Sequence, residues 1–149
     1  MISLCEAASF INTALGEDAP PVLDVRSPSE FACGHIPGAV NLPVFDDAAR
    51  ARIGKLYREH GQSPAFLEGL NLAGERLSWY VQEALRICPG KKVLMYCWRG
   101  GMRSESMARL LSLAGFEVIL LKGGYKAFRR CLRERWESVS SLIVLAGKT

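Results

Sequence analysis

Two short apolar runs, Lys92 to Cys97 and Glu117 to Leu121, are each followed by a glycine-bearing turn and then by a stretch with helical periodicity. Each run is too short for a helix and reads as a buried strand. Strands that alternate with helices in this way build a parallel sheet, because a second strand regains the direction of the first only through a crossover. Met107, Leu110, Leu111 and Ala114 share the apolar stripe of the intervening helix, and Gly115 is placed to end it. The pattern predicts an α/β domain with a mainly parallel central sheet flanked by helices on both faces.

The remaining elements fit that class. Ser3 with Glu6 reads as a capping box opening a helix to about Leu15, with Gly16 as its stop. Pro20 and Pro21 lead into a strand over Val22 to Val25, and Ser27-Pro28-Ser29-Glu30 supplies an N-cap, a proline at the first helical position and a glutamate at the third. Gly34 to Pro43 is so punctuated by Gly and Pro that only a short strand over Ala39 to Leu42 fits. From Asp46 to Cys88 the pattern is helical, broken near Gly61 to Pro64, with Leu77, Val81, Ala84 and Leu85 on one face. Tyr125 to about Arg135 reads as the last helix.

With 149 residues the chain suits one domain, and 49% hydrophobic against 23% charged residues excludes disorder and fibrous structure. A domain of this length buries about 70% of its unfolded surface, enough to stand without disulfides or metal. The net charge of +4 permits contact with nucleic acid without demanding it. The apolar runs Val93 to Trp98 and Leu142 to Ala146 are far shorter than the roughly 20 residues a membrane span needs. Arg26 is the first basic residue, so no secretory signal is read, and the cytoplasm is the inferred compartment. Five cysteines, at 5, 33, 88, 97 and 131, are odd in number and hold no C-x-x-C pair, so neither a disulfide framework nor a zinc site is expected. Four of them are expected to be small buried hydrophobes.

Cys97 is the exception. The octet Cys97-Trp98-Arg99-Gly100-Gly101-Met102-Arg103-Ser104 lies between a buried strand and a helix, where a turn directs successive backbone N–H groups into one concavity. The helix dipole, those N–H groups and Arg99 and Arg103 favour a thiolate, which makes Cys97 a candidate nucleophile above an anion-binding loop.

Three motifs in order resemble the rhodanese family: Asp24-Val25-Arg26 with Ser27-Pro28 and Glu30-Phe31, then Gly34-His35-Ile36-Pro37-Gly38-Ala39, then the Cys97 loop. The resemblance implies a rhodanese-like fold in which Cys97 accepts sulfur as a persulfide and passes it on, while residues 98 to 104 cradle the anion. The loop is one residue longer than the Cys-x4-Arg usual in that family. With Ile53-Gly54-x-Leu56-Tyr57 and Gly123-Gly124-Tyr125-Lys126-Ala127-Phe128-Arg129, it resembles the rhodanese domain at the N-terminus of tRNA 2-selenouridine synthases. That resemblance implies exchange of sulfur for selenium at the wobble 2-thiouridine of tRNA through an S-geranylated intermediate. It also implies no permanently bound cofactor, selenophosphate as selenium donor, geranyl diphosphate as co-substrate, and a selenophosphate-producing enzyme as a partner. On this reading residues 1–140 are the rhodanese domain, and 141–149 are the first strand and opening of a P-loop domain continuing beyond Thr149.

Other residues keep two readings. Asp24 and Arg26 either touch substrate or pair to hold the loop, and His35 in its Gly/Pro turn reads as a structural hydrogen-bonder. His60 reads as a surface residue. Trp98 either stacks on a base or walls the pocket. Lys122, Lys126, Arg129, Arg130, Arg133 and Arg135 form either a solvated helix face or a set of contacts to tRNA phosphates. The competing activities are a Cys-x5-Arg phosphatase or arsenate reductase and a general thiosulfate sulfurtransferase; a rhodanese-like binding module would lack the loop cysteine.

Overall fold

The computed structural model describes residues 1–138. In chain order the elements are β1 (Ile2–Cys5), α1 (Ala7–Ala14), β2 (Val22–Asp24), α2 (Pro28–Ala32), β3 (Val40–Asn41), α3 (Asp47–His60), α4 (Gln62–Gly74), α5 (Leu77–Ile87), β4 (Lys92–Tyr96), α6 (Met102–Leu113), β5 (Glu117–Leu121) and α7 (Gly124–Glu137). The five strands form one sheet in the order β1, β5, β4, β2, β3, and every pairing is parallel. The assignment of residues 141–149 to a second domain lies outside the described residues.

The strand at the centre shows how the core is divided. Successive side chains of a strand point to opposite faces. Val93, Met95 and Cys97 therefore pack with Tyr80 and Ala84 of α5 and with Met107, Ala108 and Leu111 of α6. Leu94 and Tyr96 face the other way, against Phe10 and Ile11 of α1 and Tyr125 and Phe128 of α7. Helices thus cover both faces of the sheet, and β4, apolar on both sides, is buried from Val93 to Tyr96.

Local signals and structure disagree at three places. Residues 2–5 are an edge strand, not the start of a helix from Ser3: Ile2 to Cys5 pair in register with Val118 to Leu121, and α1 starts only after Glu6. Pairing along β5 satisfies an edge that would otherwise be open, and that tertiary gain outweighs a local capping pattern. The long helical stretch is cut a second time, at Glu75 and Arg76, and α5 buries Tyr80 and Ala84 while Leu77 and Leu85 stay largely exposed. Of the four other cysteines expected to be buried only Cys88 is: Cys5 and Cys131 are half-buried and Cys33 is exposed.

One charged pair sits inside this core. Asp24 closes β2 and Arg26 follows two residues later; their side chains are 0% and 1% exposed. The Arg26 Nε lies 3.0 Å from each Asp24 carboxylate oxygen, its Nη2 donates to Oδ2 at 2.5 Å, and the Arg26 backbone N–H donates to Oδ1 at 2.9 Å. A third contact, Nη2 to the Gly34 carbonyl at 2.8 Å, ties the turn after α2 to the pair. Burial opposes the guanidinium charge, but the hydrogen bonds and charge of Asp24 prevail and hold Arg26 above its ordinary pKa. Asp24→Ala leaves that buried cation without its partner, and a loss of about 3–5 kcal/mol in unfolding free energy is expected by urea titration.

Candidate functional site

Cys97 is the residue after β4, at the carboxyl end of the central strand, and is 3% exposed. The chain then turns through residues 98–101 and enters α6 at Met102. The backbone N–H groups of Arg99 to Ser104 donate to no protein acceptor among the described residues. For the first helical turn this is inherent, since its N–H groups precede any intrahelical carbonyl. Six such groups, together with the positive end of the α6 dipole, make the loop a cradle for an oxyanion.

What holds the loop is backbone packed on backbone. Gly100 and Gly124 both have positive φ, +69° and +60°. A Cβ on Gly100 would stand 2.9 Å from the Gly123 nitrogen and 3.0 Å from the Leu121 carbonyl. One on Gly124 would overlap the Cys97 carbonyl and stand 2.6 Å from the Gly100 nitrogen. The contact is sealed by two hydrogen bonds, from Tyr125 N–H to the Cys97 carbonyl at 2.8 Å and from Lys126 N–H to the Trp98 carbonyl at 3.1 Å. The Gly123-Gly124 pair therefore exists to let α7 start against the loop.

The side chains around the sulfur have separate tasks. Ser104, 1% exposed, places its hydroxyl 3.2 Å from Cys97 Sγ and 3.1 Å from the Gly101 carbonyl, so it can donate to a thiolate. Arg103 grips Glu30 with both nitrogens of its fork, Nη1 to Oε2 at 2.5 Å and Nη2 to Oε1 at 3.2 Å. Glu30 also accepts from the Ser27 N–H at 3.1 Å in the capping box expected at Ser27-Pro28-Ser29-Glu30. Arg99, by contrast, is exposed and forms no ion pair among the described residues. Of the two loop arginines, one is committed to holding α2 against α6 and the other faces solvent.

Asp24 and Arg26 lie beneath the loop as the buried pair described above, and the Arg26 guanidinium carbon sits 4.1 Å from the Tyr125 ring centre and 5.8 Å from that of Trp98. Trp98 packs at an angle on Tyr125 with ring centres 5.9 Å apart, as one wall of this cluster. His35 stacks on Phe31 at 3.8 Å and bonds the Phe31 carbonyl through Nδ1 at 3.0 Å, and nothing brings it to the sulfur. On α7, Lys122 at the entrance pairs with Glu6 at 2.5 Å and Arg130 with Glu134 at 3.9 Å, whereas Lys126, Arg129 and Arg133 are exposed and unpaired among the described residues. His60 is exposed, as expected. Among the described residues no three His, Cys, Asp or Glu side chains converge as a metal site would require, and no helix is long and apolar enough to cross a membrane.

Two contributors were missed in the sequence. Glu30 was legible only as a helix cap, yet it also anchors Arg103 from 73 positions away. Tyr125 read as the first residue of the last helix and part of the Gly123 to Arg129 motif, yet its ring also carries the Arg26 cation. Beside the loop, an apolar pocket of about 180 Å³ lies between α3, α4 and the start of α6, lined among others by Phe45, Ile53, Phe66, Leu70 and Met102.

A cysteine at the carboxyl end of a central parallel strand, in a loop of free N–H groups that opens a helix, defines an α/β domain with a cysteine set in an anion-binding loop. The chain belongs to the rhodanese-like domain family, whose model matches residues 8–131. Among its relatives, the tRNA 2-selenouridine synthase of Hahella chejuensis is 41% identical over 137 residues, which covers 87% of this chain and 35% of that protein. The enzyme of the same name from Sulfurovum sp. is 39% identical over 158 residues, all of this chain and 42% of that one. The chain thus spans well under half the length of the relatives it matches. The crystal structure of the N-terminal domain of a candidate ATP/GTP-binding protein from Clostridium difficile 630 superposes with a TM-score of 0.76 at 32% identity, covering 87% of this chain and 98% of that one.

Two tests check the geometry. Gly124→Ala forces a side chain into the Cys97 carbonyl at a left-handed φ, and a loss of at least about 2 kcal/mol is expected by urea titration; Gly101→Ala, where a Cβ meets nothing within 4 Å, should cost far less. The second test uses pH. Burial works to raise the Glu30 pKa, but the bonds and charge of Arg103, the Ser27 N–H and Arg50 together hold it below its ordinary value. Its contribution is fully present above the unfolded carboxylate value of about 4.3 and is lost as pH falls through the lower folded value. Glu30→Gln should therefore be less stable than the parent at neutral pH, and the difference should shrink as pH drops below about 4.

Proposed function

We propose that this chain is the rhodanese domain of a tRNA 2-selenouridine synthase, in which Cys97 is the nucleophile that releases selenium from its donor for sulfur-to-selenium exchange at a wobble 2-thiouridine. The observation that carries this reading is the Ser104 hydroxyl 3.2 Å from Cys97 Sγ within a loop whose N–H groups at residues 99–104 donate to no protein acceptor among the described residues. In the release step a Cys97 thiolate attacks the phosphorus of selenophosphate. The Sγ–P bond forms as the P–Se bond breaks, selenium leaves with the bonding pair and takes a proton from solvent as hydrogen selenide anion, and water then cleaves the Sγ–P bond to release orthophosphate. The freed selenide, already at the oxidation level of selenium in 2-selenouridine, displaces the geranylthiolate from C2. The loop N–H groups hold the phosphoryl oxygens, Arg99 adds charge at the rim, and Arg103 positions the loop through Glu30. No resident cofactor or metal enters this step.

The wider protein supplies the rest of the reading. The relatives are more than twice as long as the matched segment, and a P-loop domain within that additional length would bind the geranyl diphosphate used to activate the thiouridine. The tRNA would contact the unpaired cations Lys126, Arg129 and Arg133 on α7, with Lys122 and Arg130 released from their exposed acidic partners. A selenophosphate-producing enzyme would work upstream, in the same cytoplasmic compartment.

Incubation of the chain with selenophosphate, followed by rapid quenching, intact-mass and peptide analysis, should show one added phosphoryl group on the Cys97 peptide and none in Cys97→Ser. Cys88 is a poor competitor because burial pushes its thiol up to about 11, and Cys5 is raised by burial and by the Glu6 charge. Labelling led by Cys33, the exposed cysteine, would contradict the assignment. Residues 1–149 alone, given thiolated tRNA, geranyl diphosphate and selenophosphate, should yield no 2-selenouridine by nucleoside mass spectrometry.

A further inference from the structure

A second cationic feature lies on α3, away from the sulfur. Arg50, Gly54 and Arg58 recur at intervals of four residues and so stack along one helix face. Because Gly54 has no side chain, both guanidinium groups fold over it: Arg50 Nη1 stands 2.7 Å and Arg58 Nη1 3.8 Å from the point where a Cβ would be. Arg99, from the rim of the Cys97 loop, forms the facing wall of a cleft completed by Ile53 and Tyr57. Tyr57 is 59% exposed, an aromatic ring offered to solvent beside three cations.

The charges of this cleft are poorly compensated. Other cations of the insert have acidic partners, Arg52 with Glu68 at 2.9 Å and Lys55 with Glu59 at 4.0 Å. Arg58 and Arg99 have none among the described residues, and the carboxylate nearest Arg50, Glu30 at 3.8 Å, is already gripped by Arg103. Like charges brought together on a helix face repel, so the arrangement stores an unfavourable interaction that an anion between the guanidinium groups would relieve. Their planar forks suit phosphate oxygens. A free phosphate has no use for Tyr57, whereas a nucleotide strand combines a backbone charge with a base that can stack.

We propose that the Arg50–Arg58–Arg99 cleft binds a backbone phosphodiester of the RNA strand that presents its base to Cys97, with a neighbouring base stacked on Tyr57. This rests on the reading of the substrate as RNA and places a contact on the helical insert, in addition to α7.

The test is fluorescence anisotropy of a labelled anticodon stem-loop RNA against the chain, repeated across a salt series. Arg58→Gln removes one phosphate contact and should weaken binding about tenfold while reducing the slope of log K against log salt by roughly 0.7 to 0.9. Tyr57→Ala should weaken binding by at least about fivefold and leave the slope unchanged, because stacking releases no counterion. Both side chains are exposed, and unchanged urea midpoints will show that the variants fold; Arg86→Gln, on the exposed face of α5, should match the parent in affinity and slope. Inorganic phosphate is the competing arm. If it binds with an Arg58 dependence while the RNA affinity of Arg58→Gln equals that of the parent, the cleft is a small-anion site and the RNA assignment is overturned. Loss of binding confined to Arg129→Gln and Arg133→Gln likewise overturns it by placing the RNA on α7 alone. An unaltered chain that binds no RNA overturns the substrate reading itself, and this proposal with it.

Discussion

The Cys97 loop and the first turn of α7 touch without a side chain between them, and the site depends on that contact. Gly100 and Gly124 each occupy a left-handed conformation in space that a Cβ would share with backbone of the other segment. The loop is therefore fixed on two sides, by β4 and α6 through covalent continuity and by α7 through two backbone hydrogen bonds. A nucleophile held this way keeps its position when an anion arrives, so little ordering remains to be done at the moment of binding.

Charge is distributed by the same logic. The site region contains three arginines near one another in space, and the fold gives each a different task. Arg26 is sealed in the core against Asp24 with the Tyr125 face beneath it. Arg103 is spent on Glu30, joining the short helix α2 to the start of α6. Arg99 alone keeps its charge for solvent. Two of the three therefore determine where the loop stands, and one determines what approaches it.

The insert α3–α4 gives the domain a feature beyond the five-stranded sheet and the helices that cover it. It packs its own two helices together, builds an apolar pocket against the start of α6, and turns its Arg50 and Arg58 face toward Arg99. A small oxyanion needs only the N–H cradle, whereas a large polyanionic substrate needs surface around it, and this insert supplies such surface beside the loop. The relatives in which this kind of domain is found are longer proteins, of which the chain matches about a third.

The sequence by itself determined the class of fold and singled out the candidate nucleophile. Apolar runs too short for helices, each followed by a glycine turn and a helical stripe, admit little but a parallel α/β sheet, and β5 runs over Glu117–Leu121 as its pattern requires. Cys97 stood out because its neighbours form a strand-to-helix turn, and the capping box at Ser27 to Glu30 was readable because its partners are three residues apart. Tertiary structure decided what depends on residues distant in the chain. Ile2 to Cys5 became a strand because the edge of β5, more than 110 positions later, offered hydrogen bonds that a helix could not use. Whether an arginine is structural or available was likewise invisible: Arg99 and Arg103 look alike in the loop, and only the arrival of Glu30 from α2 separates them. Periodicity and caps are local physics and leave their mark in adjacent residues, whereas ion-pair partners and edge pairing are chosen by proximity that exists only after the chain has folded.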